Sequence, residues 1–207
     1  KAIQLVPNNP EAINNLGDSY VKLSRFEEGE KYLLQSLALQ PDYIEALTNL
    51  GAAKWGQGFL DEAIAQFRKV ISMQPDLAMP HKNLGIVSLL KGNYEEGWRE
   101  YDWRWLADNI RIRSHPKPIW RGENVGDQKI LIWAEQGAGD EILHASMLGD
   151  FVARGINVMW ECDPRLVALM QRSYPSIHVV ARRNPPDPVI EEVAANVPAG
   201  TIGNFVR

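Results

Sequence analysis

Residues 44–77 read IEALTNLGAAKWGQGFLDEAIAQFRKVISMQPDL, and this stretch of 34 residues is the unit from which the first half of the chain is built. Its Asn49-Leu50-Gly51 lies 34 residues from Asn15-Leu16-Gly17 on one side and from Asn83-Leu84-Gly85 on the other. Pro7, Pro41 and Pro75 keep the same step, as do Glu27-Glu28-Gly29, Asp61-Glu62-Ala63 and Glu95-Glu96-Gly97. Three independent series with one period define a structural repeat. Each unit reads as two helices. Leu16, Leu50 and Leu84 face inward from the first helix, and the glycine after each leaves room for the second helix to pack close. Gly29, Ala63 and Gly97 are the matching small residues on the second helix. Ser24-Arg25-Phe26, Gly58-Phe59-Leu60 and Gly92-Asn93-Tyr94 read as the turns between them. The prolines close the second helices, because proline cannot donate into a helix that continues.

This period and these residue types resemble the tetratricopeptide repeat (TPR) family over about residues 1–107. The resemblance implies an all-α superhelix, with repeats at 10–43, 44–77 and 78–107 and residues 1–9 as the stub of an earlier one. A stack of this kind exposes a concave groove. Asn15, Asn49 and Asn83 recur once per repeat, so the expectation is a row of amides along that groove. Each amide offers two donors and an acceptor to an extended peptide backbone. The row resembles the asparagine ladder of the O-GlcNAc transferase TPR superhelix, which implies a protein or peptide partner. The alternative, solvated asparagines that merely belong to the repeat consensus, stays open. Trp55 and Leu89 read as core between repeats or as an apolar anchor on the groove face.

The last repeat departs from the others. Trp98, Tyr101 and Trp105 fall at i, i+3 and i+7, which predicts one stripe on a helix that runs on past Tyr101. With Trp120 they are expected to form a dry joint to whatever follows, the alternative being a ligand platform.

Composition narrows the function classes. Hydrophobic residues make up 45% and charged residues 23% of the 207, as in ordinary globular proteins. A net charge of −4 supplies no basic field for nucleic acid. No apolar run reaches the length of a membrane span. One cysteine, Cys162, cannot staple a fold and fits a reducing compartment, so the cytoplasm is the expected location. No metal site or cofactor is expected. The chain opens at Lys1 inside a repeat-like segment and stops at Asn204-Phe205-Val206-Arg207, which reads as part of a longer protein.

Residues 108–128, with Pro116, Pro118, Gly122 and Gly126, read as a linker. Beyond it, residues 129–207 read as a partial Rossmann-like α/β domain. The runs 129–135, 157–162 and 177–180 suit buried parallel strands, with helices over 141–153 and from Pro164 to about Tyr174. The stretch 181–207 shows no clear finishing strand or helix. Gly137 and Gly139 form a turn ahead of the first helix, a candidate anion site, because a helix start aims N–H groups outward. Ile142 stands where a dinucleotide fingerprint needs its third glycine.

The strings EQGAGDEI, CDPRL, RSYP and VPAGTIGNFVR, with EGWREYDWR and PIWRGE before them, resemble bacterial proteins that join TPR repeats to a GT-B glycosyltransferase-like domain. More distantly, Gly139-Asp140 resembles the heptosyltransferases. That resemblance implies Asp140 as the base that activates an acceptor hydroxyl. It also implies a nucleotide sugar as a ligand of the full-length parent alone, so residues 1–207 are expected to be inactive by themselves. A non-catalytic adaptor, in which the α/β part only braces the repeats, is the other reading.

Overall fold

The computed structural model describes residues 8–109 and 113–206. They divide into two units, 1–111 and 112–207. Most of the expected stub lies outside the described residues.

The first unit is a run of antiparallel helix pairs. The pairs are α1 (Pro10–Lys22) with α2 (Phe26–Leu39), α3 (Ile44–Gly56) with α4 (Leu60–Met73), and α5 (Ala78–Lys91) with α6 (Tyr94–Tyr101). Asn9 caps α1, its Oδ1 accepting the Ala12 N–H at 3.0 Å, and Pro10 takes a first-turn position where no N–H is missed. The repeat glycines act as contact points. A methyl on Gly17 would come within 2.8 Å of Leu33, one on Gly51 within 2.6 Å of Phe67, and one on Gly85 would fall on the backbone nitrogen of Tyr101. Leu50 and Leu84 are buried, while Leu16, on the first described helix, is half-buried. Phe67, Ala63, Ile64, Leu84 and Val87 form one core cluster with Trp55 packed against it, which makes Trp55 core. Leu89 meets Gly97 in the same way.

The last helix pair differs from the expected continuous stripe. Helix α6 stops at Tyr101, and a separate turn, α7 (Arg104–Ala107), carries Trp105. The break is held by Arg104. Its side chain is fully buried, donates to Asp102 Oδ1 at 2.7 Å, and lies against the rings of Tyr101 and Trp105. Trp103 turns back and stacks on His81, with ring centroids 4.0 Å apart.

The second unit holds a four-stranded sheet of β1 (Ile130–Trp133), β2 (Val158–Cys162), β3 (His178–Ala181) and β4 (Ala195–Pro198). All neighbours are parallel, in the order β3-β2-β1-β4, with Ile130 opposite Val158 on one side and Ala195 on the other. The three expected strands are present. The expected helix over 141–153 is two, α8 (Ala138–Ala145) and α9 (Leu148–Ala153), and α10 (Val167–Ser173) begins one turn after Pro164. The stretch expected to lack a finishing strand supplies β4 and the short α11 (Gly203–Val206). The segment read as a linker also contributes. Ile119 bridges to Asn196, and the Trp120 N–H donates to the Asn196 carbonyl at 2.7 Å. Trp120 is buried within this unit, against Phe151 and Phe205. Trp98 and Trp105 are half-buried in the first.

Candidate functional site

Helices α1, α3 and α5 line a concavity of about 800 Å³. Asn15, Asn49 and Asn83 all open onto it, one from each helix. Their surroundings differ. Asn15 is exposed, Asn49 is half-buried, and Asn83 retains 9% of its surface. The side chains are more engaged with one another than a plain row implies. Asn49 Nδ2 donates to Asn14 Oδ1 at 3.0 Å, and Asn14 Nδ2 donates to Asn15 Oδ1 at 3.3 Å. Asn83 has no side-chain hydrogen-bond partner among the described residues and borders the cavity. Asn14 escapes a search by period, because its equivalents are Thr48 and Lys82.

These contacts set the stability consequences. Asn49→Ala leaves the buried Asn14 oxygen without its donor, and is expected to cost about 1–3 kcal/mol in urea unfolding. Asn83→Ala breaks no side-chain hydrogen bond among the described residues and should change the midpoint little. Equal losses at the two sites would contradict this division.

Around the amides the groove is lined by Asp42, Tyr43, Glu45, Leu77 and Met79, with Asp18 and Lys22 joined at 2.6 Å. The Tyr43 phenol is pushed above its ordinary value, first by burial and then by the Glu45 and Glu11 carboxylates.

In the second unit, the glycine turn sits at the carboxyl end of β1. Gly137 is the N-cap of α8, with φ of −77°, and its N–H donates to Asp140 Oδ2 at 3.2 Å. Asp140 is therefore a third-position acid that reaches back to the cap, and its carboxylate is exposed. Gly139 faces open space, so neither glycine is demanded by close approach. The next residue is buried. Glu141 accepts the Asp163 N–H at 2.7 Å and lies 3.3 Å from an Arg182 nitrogen, and burial raises its carboxyl above the usual range. Arg182 also donates to the Ala134 carbonyl at 3.2 Å, tying β3 to β1. Arg165 holds Asp163 down to about 2. Burial pushes the Cys162 thiol up to about 12, which leaves it no thiolate at neutral pH. Arg113 pairs with Glu161, fully buried on β2. Residues 135–142 and 162–166 carry Glu141, Asp163 and Arg165 in plain sight, but the pairing of Glu141 and Asp163 with Arg182 joins positions 41 and 19 residues apart and shows only in the fold.

With the geometry in place, comparison adds a name for the first unit. Residues 10–76 match the tetratricopeptide repeat family. The matched residues form a TPR segment of this chain. A curated relative, Protein FlbA of Caulobacter vibrioides, is 34% identical over 103 residues, which cover 47% of this chain. The match spans only 17% of that relative's length. Among solved structures, an O-GlcNAc transferase from Thermobaculum terrenum is similar over 89% of this chain and 36% of its own, at 20% identity and a TM-score of 0.46. A thermophilic TPR protein from Thermus thermophilus is similar over 53% of this chain and 62% of its own, at 20% identity and a TM-score of 0.47. Among the described residues no helix is long and apolar enough to cross a membrane.

Proposed function

We propose that this chain is a protein-interaction scaffold whose TPR groove holds an extended peptide segment. The observation that supports it is the single concavity onto which Asn15, Asn49 and Asn83 open from successive repeats. First helices of neighbouring repeats stand about 10 Å apart. Three amides then span about 20 Å, the reach of about six extended residues. Each amide in contact with peptide backbone contributes about 0.5–1.5 kcal/mol net, or about two- to tenfold in affinity. The test is selection of displayed decapeptides on the 207-residue chain, followed by titration against single, double and triple Asn→Ala variants. Affinity should fall in steps. An unchanged affinity in the triple variant would reduce the asparagines to consensus residues.

A second reading concerns the α/β unit, as the acceptor side of a Rossmann-like, glycosyltransferase-like domain. What favours it is the exposed Asp140 carboxylate at the carboxyl end of a parallel sheet, where ligands of such sheets bind. As the base for an acceptor hydroxyl, Asp140 would supply about 10²–10⁴-fold in rate. Transfer from a nucleotide sugar by a protein containing this chain should drop accordingly in Asp140→Asn. Undiminished transfer would leave the α/β unit as a brace for the repeats.

A further inference from the structure

The groove carries an uncompensated charge. Of its lining residues, Asp18, Asp42 and Glu45 are acidic and only Lys22 is basic. Lys22 is already spent on Asp18, at 2.6 Å. Asp42 and Glu45 are exposed and have no ion-pair partner among the described residues. The same cavity is also lined by the apolar side chains of Ile44, Leu77 and Met79, and Met79 keeps 39% of its surface exposed.

An acidic rim alone is an ordinary solvated surface. Asn83 is different. It is more than nine-tenths buried, borders the same cavity and has no hydrogen-bond partner among the described residues. Its side chain lines the cavity, so a ligand that displaces solvent there must bond the amide or leave it unsatisfied, which favours one that offers backbone donors and acceptors. The polar need at the floor and the negative field at the rim therefore lie in one cavity.

We infer that the groove's occupant is an extended cationic peptide. Its backbone is met by Asn83, a Lys or Arg side chain is met by Asp42 and Glu45, and a neighbouring apolar side chain rests on Leu77 and Met79. The inference rests on the peptide-binding reading above and adds the chemical class of the partner. A basic segment is drawn in by the field, whereas an acidic one is repelled by it. Both arms of the contact suit an extended chain, since alternate side chains point to opposite sides while the backbone stays in reach of the amide.

The experiment uses the whole chain and three synthetic decapeptide pools matched in apolar content, one bearing Lys and Arg, one neutral and one bearing Asp and Glu. Binding is measured at about 50 mM and about 300 mM salt, because exposed charge pairs are screened within about a Debye length. The expected result is binding of the cationic pool that weakens at the higher salt. Asp42→Asn with Glu45→Gln should then weaken it about two- to tenfold, as loss of two exposed pairs does. Asn83→Ala should weaken binding of all bound peptides without changing their order. Preference for neutral or acidic peptides, or a cationic preference untouched by the Asp42 and Glu45 changes, overturns the inference and leaves the peptide groove standing. No binding of any pool overturns both.

Discussion

Trp120→Ala is expected to destabilise the second unit by about 3–5 kcal/mol, the usual cost of deleting a fully enclosed indole. The ring retains 3% of its surface and lies 4.6 Å from the Phe205 ring centroid and 5.8 Å from that of Phe151. Its Nε1 donates to the Glu123 carbonyl at 2.8 Å, so truncation also strands that acceptor. The loss should show in urea unfolding as an early transition in near-ultraviolet circular dichroism, with the helical signal of the repeats retained. Trp105→Ala removes a half-buried ring and should cost clearly less. If the two variants unfold alike, Trp120 is no more important to its unit than the half-buried Trp105 is to the repeats.

Gly85→Ala is the second large expected effect, and its sign runs against helix propensity. In an exposed helix interior alanine is favoured over glycine by about 1 kcal/mol. At Gly85 the added methyl would meet the Tyr101 nitrogen and come within 2.8 Å of the Glu100 carbonyl carbon and of Tyr101 Cα. These are backbone atoms with no rotamer to yield, so α5 and α6 must separate, at a cost of about 1–3 kcal/mol or more. Gly149 is the control. It lies in α9 with nothing within 4 Å of an added methyl, and Gly149→Ala should raise stability by about 0.5–1 kcal/mol. A thermal melt on both variants checks the pair. A gain at Gly85 would mean that the helices are not held at this contact.

The repeats were readable because each period-34 position has one physical job. Gly17, Gly51 and Gly85 all face a second-helix atom, so the spacing survives in the letters. Strands β1 and β2 were legible as apolar runs because every residue in them is buried. Strand β4 was not, because Ala195-Asn196-Val197-Pro198 puts a polar residue in the middle and a proline at the end. Asn196 is fully buried yet satisfied, accepting from Trp133 Nε1 at 2.9 Å and donating to the Lys117 carbonyl at 2.7 Å. That pairing is invisible until the chain is folded. The segment around Trp120 failed as a reading for the same reason, since its polar letters conceal a docked backbone. In the groove, the three asparagines were legible and the fourth, Asn14, was not. The helical break at Asp102 was hidden by an aromatic spacing that continues across it. What makes that break is a buried arginine, which composition alone assigns to the surface.

The bonds of Asn196 also set an order of assembly. They join residues 63 and 79 positions apart, whereas the long side-chain bond within the groove, Asn49 to Asn14, spans 35. Chains pay the entropy of closing a loop before its contacts reward them, and distant pairings are slow. During synthesis the helical repeats can close pair by pair as they emerge. The segment 117–120 must wait, with Trp120 uncovered, until Asn196 has been made. The interval between those two residues is when the second unit is most exposed to aggregation and to capture by a chaperone.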